Sequence, residues 1–258
     1  MIIIGLIKTI TGIFWLLAFL VYSSLVSLFF INNDEKRKFY IKTTSWFSEK
    51  FLKIIGMSVI IKEKDLEKIR SFHGLIVSNH LSYLDILILS SLKPSIFVSS
   101  VEVEKTLFLG KIAKIGGSIF VERRSKSSII NDIQKLSSTL KKGFSITLFP
   151  EGTTSNGEKI LKFKKSLFNS AIESKVSVLP ICIKYLSINK NPITEKNRDK
   201  VYYYGSIKFA PHFFKLFFAG KIEVKVKVLS PIDVNKNPCR KELTEKAYEK
   251  ISFAYAEI

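Results

Sequence analysis

Apolar residues are spread along this chain in three different ways. From Thr9 to Ile31 there is no charge, and Ile, Leu, Phe and Val dominate. That run can cross a hydrocarbon core, which takes about 20 apolar residues. No small-residue cleavage site follows, so it does not read as a removable signal peptide. It reads either as a span or as an interfacial helix dipping into one leaflet. Phe39 to Met57 reads as a second helix, in which Tyr40, Trp46, Phe47, Phe51, Ile54 and Ile55 alternate with Lys42, Glu49, Lys50 and Lys53. Such a helix suits a membrane interface, or covers a globular domain as an ordinary amphipathic helix.

From residue 58 onward, short apolar runs alternate with helical patterns. Strands are expected at Leu75–Ser78, Ser95–Val101, Ser118–Glu122, Ser145–Phe149 and Ser177–Ile183. Helices are expected at Tyr83–Leu92, Lys105–Ile115, Ser127–Lys142 and Lys164–Ser174. Gly143 suits the position just past a helix end. Lys190–Lys200 is polar and reads as a loop. Tyr202–Phe209 and Ile222–Leu229 read as late strands, the second with one wet face, and Glu242–Ala256 as a closing helix. Strands alternating with helices predict an α/β fold, a largely parallel twisted sheet flanked by helices. Two parts are expected: residues 1–57, a membrane-associated two-helix segment, and residues 58–258, a globular domain.

Charge narrows the partners. The 258 residues carry 41 basic and 22 acidic side chains, a net charge of +19, with 47% hydrophobic residues. A chain both apolar and basic suits an anionic membrane, a nucleic acid or an acidic carrier. The lysines are scattered and no groove-binding motif is present, which disfavours nucleic acid. Lys36-Arg37-Lys38 after the apolar run places that side in the cytoplasm. Cys182 and Cys239 form no CxxC pair or Cys/His cluster, so neither a zinc site nor a disulfide framework is expected.

Four stretches carry candidate chemistry. In Leu75-Ile76-Val77-Ser78-Asn79-His80-Leu81-Ser82-Tyr83-Leu84-Asp85 a buried strand delivers His80 to a turn, with Asp85 in the first turn of the next helix. Ends of strands in α/β sheets are where crevice chemistry sits. Ser82-x-x-Asp85 also reads as a capping box, in which Ser82 is the N-cap and Asp85 serves only the helix end. Gly117-Ser118-Ile119-Phe120-Val121-Glu122-Arg123-Arg124 brings two arginines to a strand end, either as forks for phosphate or carboxylate or as a solvated basic end. Leu148-Phe149-Pro150-Glu151-Gly152-Thr153-Thr154-Ser155-Asn156-Gly157 ends a strand in a hydroxyl-rich turn that can aim backbone amides at an anion, with Glu151 able to accept from a hydroxyl. Val178-Leu179-Pro180-Ile181 carries a proline that marks an edge, bulge or strand end.

In order, these four resemble the glycerolipid acyltransferase family, specifically the bacterial 1-acyl-glycerol-3-phosphate acyltransferases. His80 to Asp85 is similar to its H-x₄-D block. Gly117 to Arg123 resembles its second block, ending in a phosphate-binding Arg, and Phe149-Pro150-Glu151-Gly152-Thr153 its F-P-E-G-T block. Val178-Leu179-Pro180-Ile181 resembles its V-x-P-[IV] block. The resemblance covers about residues 58 to 185. It implies acyl transfer from a thioester donor, acyl-CoA or acyl carrier protein, to the sn-2 hydroxyl of a lysophospholipid, without a metal or other cofactor. His80 would be the general base, with Asp85 fixing its tautomer. Arg123 would hold the acceptor phosphate, supported by Lys105 or Lys164. Glu151, Gly152 and Thr153 would line the head-group site. Two positions depart from the pattern: Thr154 stands where an Arg often follows, and Phe163-Lys164-Lys165-Ser166 where Phe-Lys-Lys-Gly is common. The F-P-E-G-T-T-S form also resembles relatives that acylate lyso-ornithine lipid. A lipid-binding scaffold without turnover would share the N-terminus and the charge but would have no need of the His80/Asp85 pair.

Overall fold

The computed structural model describes residues 2–122 and 126–258. The apolar N-terminus forms α1 (Ile2–Val26), and one 3-10 turn (Ser27–Phe29) leads to α2 (Asn33–Ile55). α2 starts at Asn33 rather than at Phe39, because Asn32 caps it. The Asn32 side chain accepts the Asp34 and Glu35 amides at 2.8 and 3.3 Å, the arrangement that satisfies orphan N–H groups at a helix start. Gly56 ends α2 in the left-handed region with φ of 84°.

The chain then runs through β1 (Met57–Ile60), α3 (Glu63–Ser71), β2 (Leu75–Ser78), α4 (Leu84–Leu92), β3 (Ile96–Ser100), α5 (Val101–Glu104) and α6 (Leu109–Ile115). It continues with β4 (Ile119–Val121), α7 (Lys126–Lys141), β5 (Ile146–Leu148) and α8 (Asn169–Ser174). The last elements are β6 (Val178–Ile188), β7 (Asn191–Pro192), α9 (Phe209–Leu216), β8 (Ile222–Val228) and α10 (Arg240–Glu257). The sheet order is β1-β8-β6-β2-β5-β3-β4, with β7 on β6. Neighbours from β6 through β2, β5 and β3 to β4 pair in parallel, as does β1 with β8. Among the described strands, β6 pairs antiparallel with β8 and with the short β7, and Val178 also bridges Ile232 antiparallel. β2 is fully buried between two parallel neighbours, which is why Leu75-Ile76-Val77 is apolar on both faces.

Residues 1–57 are not a separate layer. The expected boundary falls inside β1, and Phe51, Leu52 and Ile55 of α2 are buried in the main core. α1 lies antiparallel along α2: Lys8 Nζ donates to the Ile55 carbonyl at 3.1 Å, Trp15 Nε1 to the Phe47 carbonyl at 3.1 Å, and Tyr22 meets Phe39. Gly12 lets the Phe217 ring approach so closely that a Cβ would sit 2.3 Å from it. The other side of α1 exposes Ile3, Ile7, Ile10, Phe14, Leu17 and Val21.

Several expected elements take a different form. Tyr202–Phe209 is not a strand. Val201, Tyr202 and Tyr203 form a turn pinned by Tyr203 N–H on the Leu81 carbonyl at 3.0 Å, and Gly205 then reverses the chain at φ of 59°. Phe209 opens α9 instead, where Pro211 in the first turn needs no amide partner. The helix expected at Lys105–Ile115 begins only at Leu109, as α6, with Thr106 Oγ1 accepting Gly110 N–H at 3.0 Å in the turn before it. A separate short helix, α5, precedes Lys105, where Ser100 Oγ accepts Val103 N–H. The helix expected from Lys164 begins as a 3-10 turn at Ser166–Phe168, since the Lys164 amide is drawn to the Pro150 carbonyl at 2.8 Å. β6 runs on to Ile188, well past the expected Ile183.

Candidate active site

His80 leaves the end of β2, Glu151 follows the end of β5, and β6 extends past both. β3, β4 and β5 lie on one side of β2, and β6, β8 and β1 on the other. His80 therefore stands at a switch point of the sheet, where α/β folds form crevices. Asn79, buried between them, continues the pairing with β6 through its side chain: Nδ2 donates to the Ile183 carbonyl and Oδ1 accepts Ile183 N–H, both at 2.8 Å. The turn after β5 brackets the His80 backbone. Glu151 Oε1 accepts His80 N–H at 2.7 Å, and the His80 carbonyl accepts Ser155 N–H at 2.9 Å. The imidazole stacks on Phe149 with 3.9 Å between ring centroids.

His80 Nδ1 lies 2.9 Å from Asp85 Oδ2. The same oxygen accepts Leu81 N–H at 2.6 Å and Ser82 N–H at 2.9 Å, and Asp85 Oδ1 accepts the Tyr185 hydroxyl at 2.8 Å. The carboxylate is fully buried. Both readings of the Ser82-x-x-Asp85 spacing thus hold in part: Asp85 reaches back to helix-start amides and also orients the imidazole. Ser82 does not act as the cap. Its hydroxyl is buried without a partner, and Tyr83 precedes the first helical residue. With Nδ1 committed to a carboxylate, Nε2 is the ring nitrogen left for a substrate proton.

A cavity of about 420 Å³ opens at His80 and extends beneath the N-terminal helices. His80, Tyr83, Thr153 and Thr154 line one part; Trp15, Phe19, Phe47 and Ile112 line another. The walls are mostly apolar, the character of a site for an alkyl chain. A smaller cavity of about 70 Å³ lies at the end of β4, lined by Glu122, Asp132, Gly152 and Lys164. Burial pushes the Asp132 carboxyl up, although its Oδ2 accepts Glu122 N–H at 2.8 Å.

The expected binding residues separate on this geometry. Gly152 and Thr153 stand on cavity walls, and Lys164 reaches the smaller cavity. A Cβ at Gly152, whose φ is 74°, would meet Lys164 Nζ at 2.8 Å, so glycine is needed for both backbone and contact. Glu151 is set apart from both cavities. It is buried, lies on neither cavity wall and spends both oxygens on backbone amides, Oε2 accepting Leu161 N–H at 2.9 Å. Desolvation, with Asp85 nearby, pushes its pKa up to about 7. Lys105 is exposed on the turn after α5 and touches neither cavity. Arg123 lies outside the described residues.

Sequence reading missed Tyr185, although Ile183-Lys184-Tyr185-Leu186 continues the alternation that would have lengthened β6. It also missed Tyr83, whose hydroxyl meets buried His212 Nδ1 at 3.0 Å. Burial holds the Tyr83 phenol well above its usual pKa and His212 below its own, so both stay neutral. No local signal ties residues so far apart.

Residues 60–184 match the family model described as Acyltransferase. Among curated relatives, the lyso-ornithine lipid O-acyltransferase of Rhizobium meliloti (strain 1021) is 34% identical over 159 residues, 59% of this chain and 54% of that protein. The 1-acyl-sn-glycerol-3-phosphate acyltransferase of Neisseria gonorrhoeae is 36% identical over 111 residues, 43% of this chain and 44% of that one. The chain spans about half the length of these relatives. The fold is that of the crystal structure of the 1-acyl-sn-glycerophosphate (LPA) acyltransferase PlsC from Thermotoga maritima, with a TM-score of 0.69, 21% identity and coverage of 99% and 96% of the two chains.

Proposed function

We propose that this chain is a membrane-bound acyltransferase that moves a fatty acyl group from a thioester donor to the sn-2 hydroxyl of 1-acyl-glycerol-3-phosphate, giving phosphatidic acid. The observation that carries this is His80, held by Asp85 at 2.9 Å, at the mouth of an apolar cavity large enough for much of an acyl chain. His80 Nε2 takes the proton of the acceptor hydroxyl as its oxygen attacks the thioester carbonyl. The C–S bond breaks as the tetrahedral adduct collapses, and the imidazolium returns the proton to the departing thiolate. Buried Asp85 stabilises the transient imidazolium. The step draws on no metal or prosthetic group and forms no acyl-enzyme. Acyl-CoA and acyl carrier protein both bring negative charge to a basic chain.

A second acceptor, lyso-ornithine lipid, is favoured by Thr154. It lies on the cavity wall with Thr153, so that wall presents hydroxyls where an Arg would present charge. Relatives carry either name. α1 lies lengthwise on α2 instead of projecting from the domain, which supports anchoring in one leaflet, with the catalytic residues on the cytoplasmic face.

Purified protein given labelled acyl donor and a panel of lysolipids tests this. Turnover of lysophosphatidic acid is expected. His80→Ala should lower it by a factor of about 10²–10⁴ with the fold intact. Strong turnover of the ornithine lipid with none of lysophosphatidic acid would replace the first acceptor by the second. A folded His80→Ala variant with over half the activity would remove His80 as base.

A further inference from the structure

The turn between α5 and α6 carries an apolar tip. Leu107 is 96% exposed and neighbouring Phe108 is 44% exposed. A lone exposed leucine needs no explanation, but this one is continuous with a larger apolar face. α6 packs Ile112 and Ile115 into the cluster that Phe19 of α1 and Phe47 of α2 form. The tip therefore stands beside the helix whose outer side exposes Ile10, Phe14 and Leu17. Exposed lysines flank it: Lys105 before the tip, Lys111 and Lys114 on α6. Glu102 and Glu104 lie on α5, on the N-terminal side.

We propose that the α5–α6 turn is a second membrane-inserting element, in which Leu107 enters the acyl-chain region of an anionic bilayer beside α1. Lys105 and Lys111 then lie at the lipid phosphates, the placement that long basic side chains favour at an interface. This gives a role to Lys105, which lines neither cavity. The packing of α6 against Phe19 of α1 favours a bilayer over an acidic protein. Phe108, next to Leu107, lines the large cavity, so insertion would hold that wall against the membrane from which a lysolipid arrives. The proposal rests on reading α1 as membrane-associated.

The test uses the full chain carrying Cys239→Ser, Cys182 being buried. A polarity-sensitive fluorophore is placed on Leu107→Cys, and in a second protein on Glu249→Cys. Each is mixed with vesicles of phosphatidylglycerol and phosphatidylethanolamine in equal amounts, with or without acyl-chain nitroxides. Blue-shifted emission and nitroxide quenching at position 107 and neither at 249 are expected. Leu107→Asp should raise the lipid needed for half-maximal flotation roughly three- to tenfold. Emission that stays aqueous while the protein floats would overturn the proposal and leave the α1 anchor standing. A protein that does not float overturns both. A label that responds to acidic carrier protein and not to vesicles would overturn it in favour of protein docking. None of these readouts depends on acyl transfer.

Discussion

The Tyr185 hydroxyl donates to Asp85 Oδ1 at 2.8 Å from a strand a hundred positions downstream, while Asp85 Oδ2 holds His80. Tyr185 is buried, and burial together with the Asp85 carboxylate keeps its phenol neutral, a donor throughout the working pH range. We count it as a positioning residue. Tyr185→Phe removes a hydrogen bond to a buried charge, which costs about 1.5–3 kcal/mol of stability. Asp85 is then held less firmly against His80. The rate constant kcat should fall while the acceptor KM changes little. A lower melting temperature with unchanged kcat would leave Tyr185 a packing role only.

Asp85→Asn tests the double duty of this carboxylate. The amide oxygen can still accept from Leu81 and Ser82, and the amide nitrogen can donate to Tyr185, so the turn should survive at a cost of about 1–3 kcal/mol. The charge that stabilises imidazolium is lost. The rate should fall by a factor of about 10² or more, far beyond what the melting temperature explains. Unchanged specific activity in a destabilised protein would reduce Asp85 to a helix cap.

Much of this site is legible in the sequence because its parts are local. His80 and Asp85 are five positions apart, and the strand-turn-helix that joins them has a periodicity readable from Leu75 to Leu89. β2, β5 and the alternating β8 are legible for the same reason. What escapes is set by tertiary contact. Tyr202, Tyr203 and Tyr204 look like strand by propensity, but the Tyr203 amide serves the turn after His80 and the Tyr202 amide bonds to the Arg198 carbonyl. Glu151 looks like a ligand because it follows a strand, whereas its carboxylate is consumed in holding the His80 backbone. Tyr185 and Asn79 act across parallel strands, where no spacing rule applies. Asn32 carries a plain local signal, a cap followed by Asp34 and Glu35.

Glu151 predicts a pH dependence of stability. Its folded pKa of about 7 lies above the ordinary 4.5, so between these values the folded protein binds more protons than the unfolded chain. Stability from this group is fully present below pH ~4.5 and is lost as pH rises through ~7. The melting temperature should fall over that window by more in the native protein than in Glu151→Gln. The variant should also be less stable at low pH by about 1–3 kcal/mol, because one amide faces the Gln nitrogen. Parallel melting curves across the window would mean that Glu151 does not hold the raised pKa.

Removing residues 1–31 while keeping the Asn32 cap separates anchoring from architecture. α1 supplies Trp15, Leu16 and Phe19 to the cavity wall and covers Phe217 through Gly12. The truncated protein should leave the membrane fraction. It should also lose roughly tenfold or more of its activity on a micellar acceptor, where anchoring is not needed, because the cavity no longer positions the chain. A soluble truncated protein with full activity on micelles would show that α1 is an anchor alone.

The last prediction concerns the head group. Lys164 crosses Gly152 into the small cavity at the end of β4, and Arg123, which the family resemblance assigns to phosphate, directly follows Glu122 in the chain. If this corner holds a phosphomonoester, each charge-assisted bond contributes about 1.5–3 kcal/mol. Lys164→Ala and Arg123→Ala should then each raise the KM for lysophosphatidic acid roughly ten- to a hundredfold, with kcat and the donor KM little changed. Arg123→Lys should recover only part, since lysine lacks the planar fork. Gly152→Ala should act through Lys164, because its Cβ would stand 2.8 Å from the ammonium at a φ of 74° that alanine resists. Combined with Lys164→Ala it should cost less than the product of the two separate effects. The comparison with lyso-ornithine lipid, which lacks the phosphomonoester, decides the assignment. Equal losses on both acceptors would mean that these residues shape the site without reading phosphate.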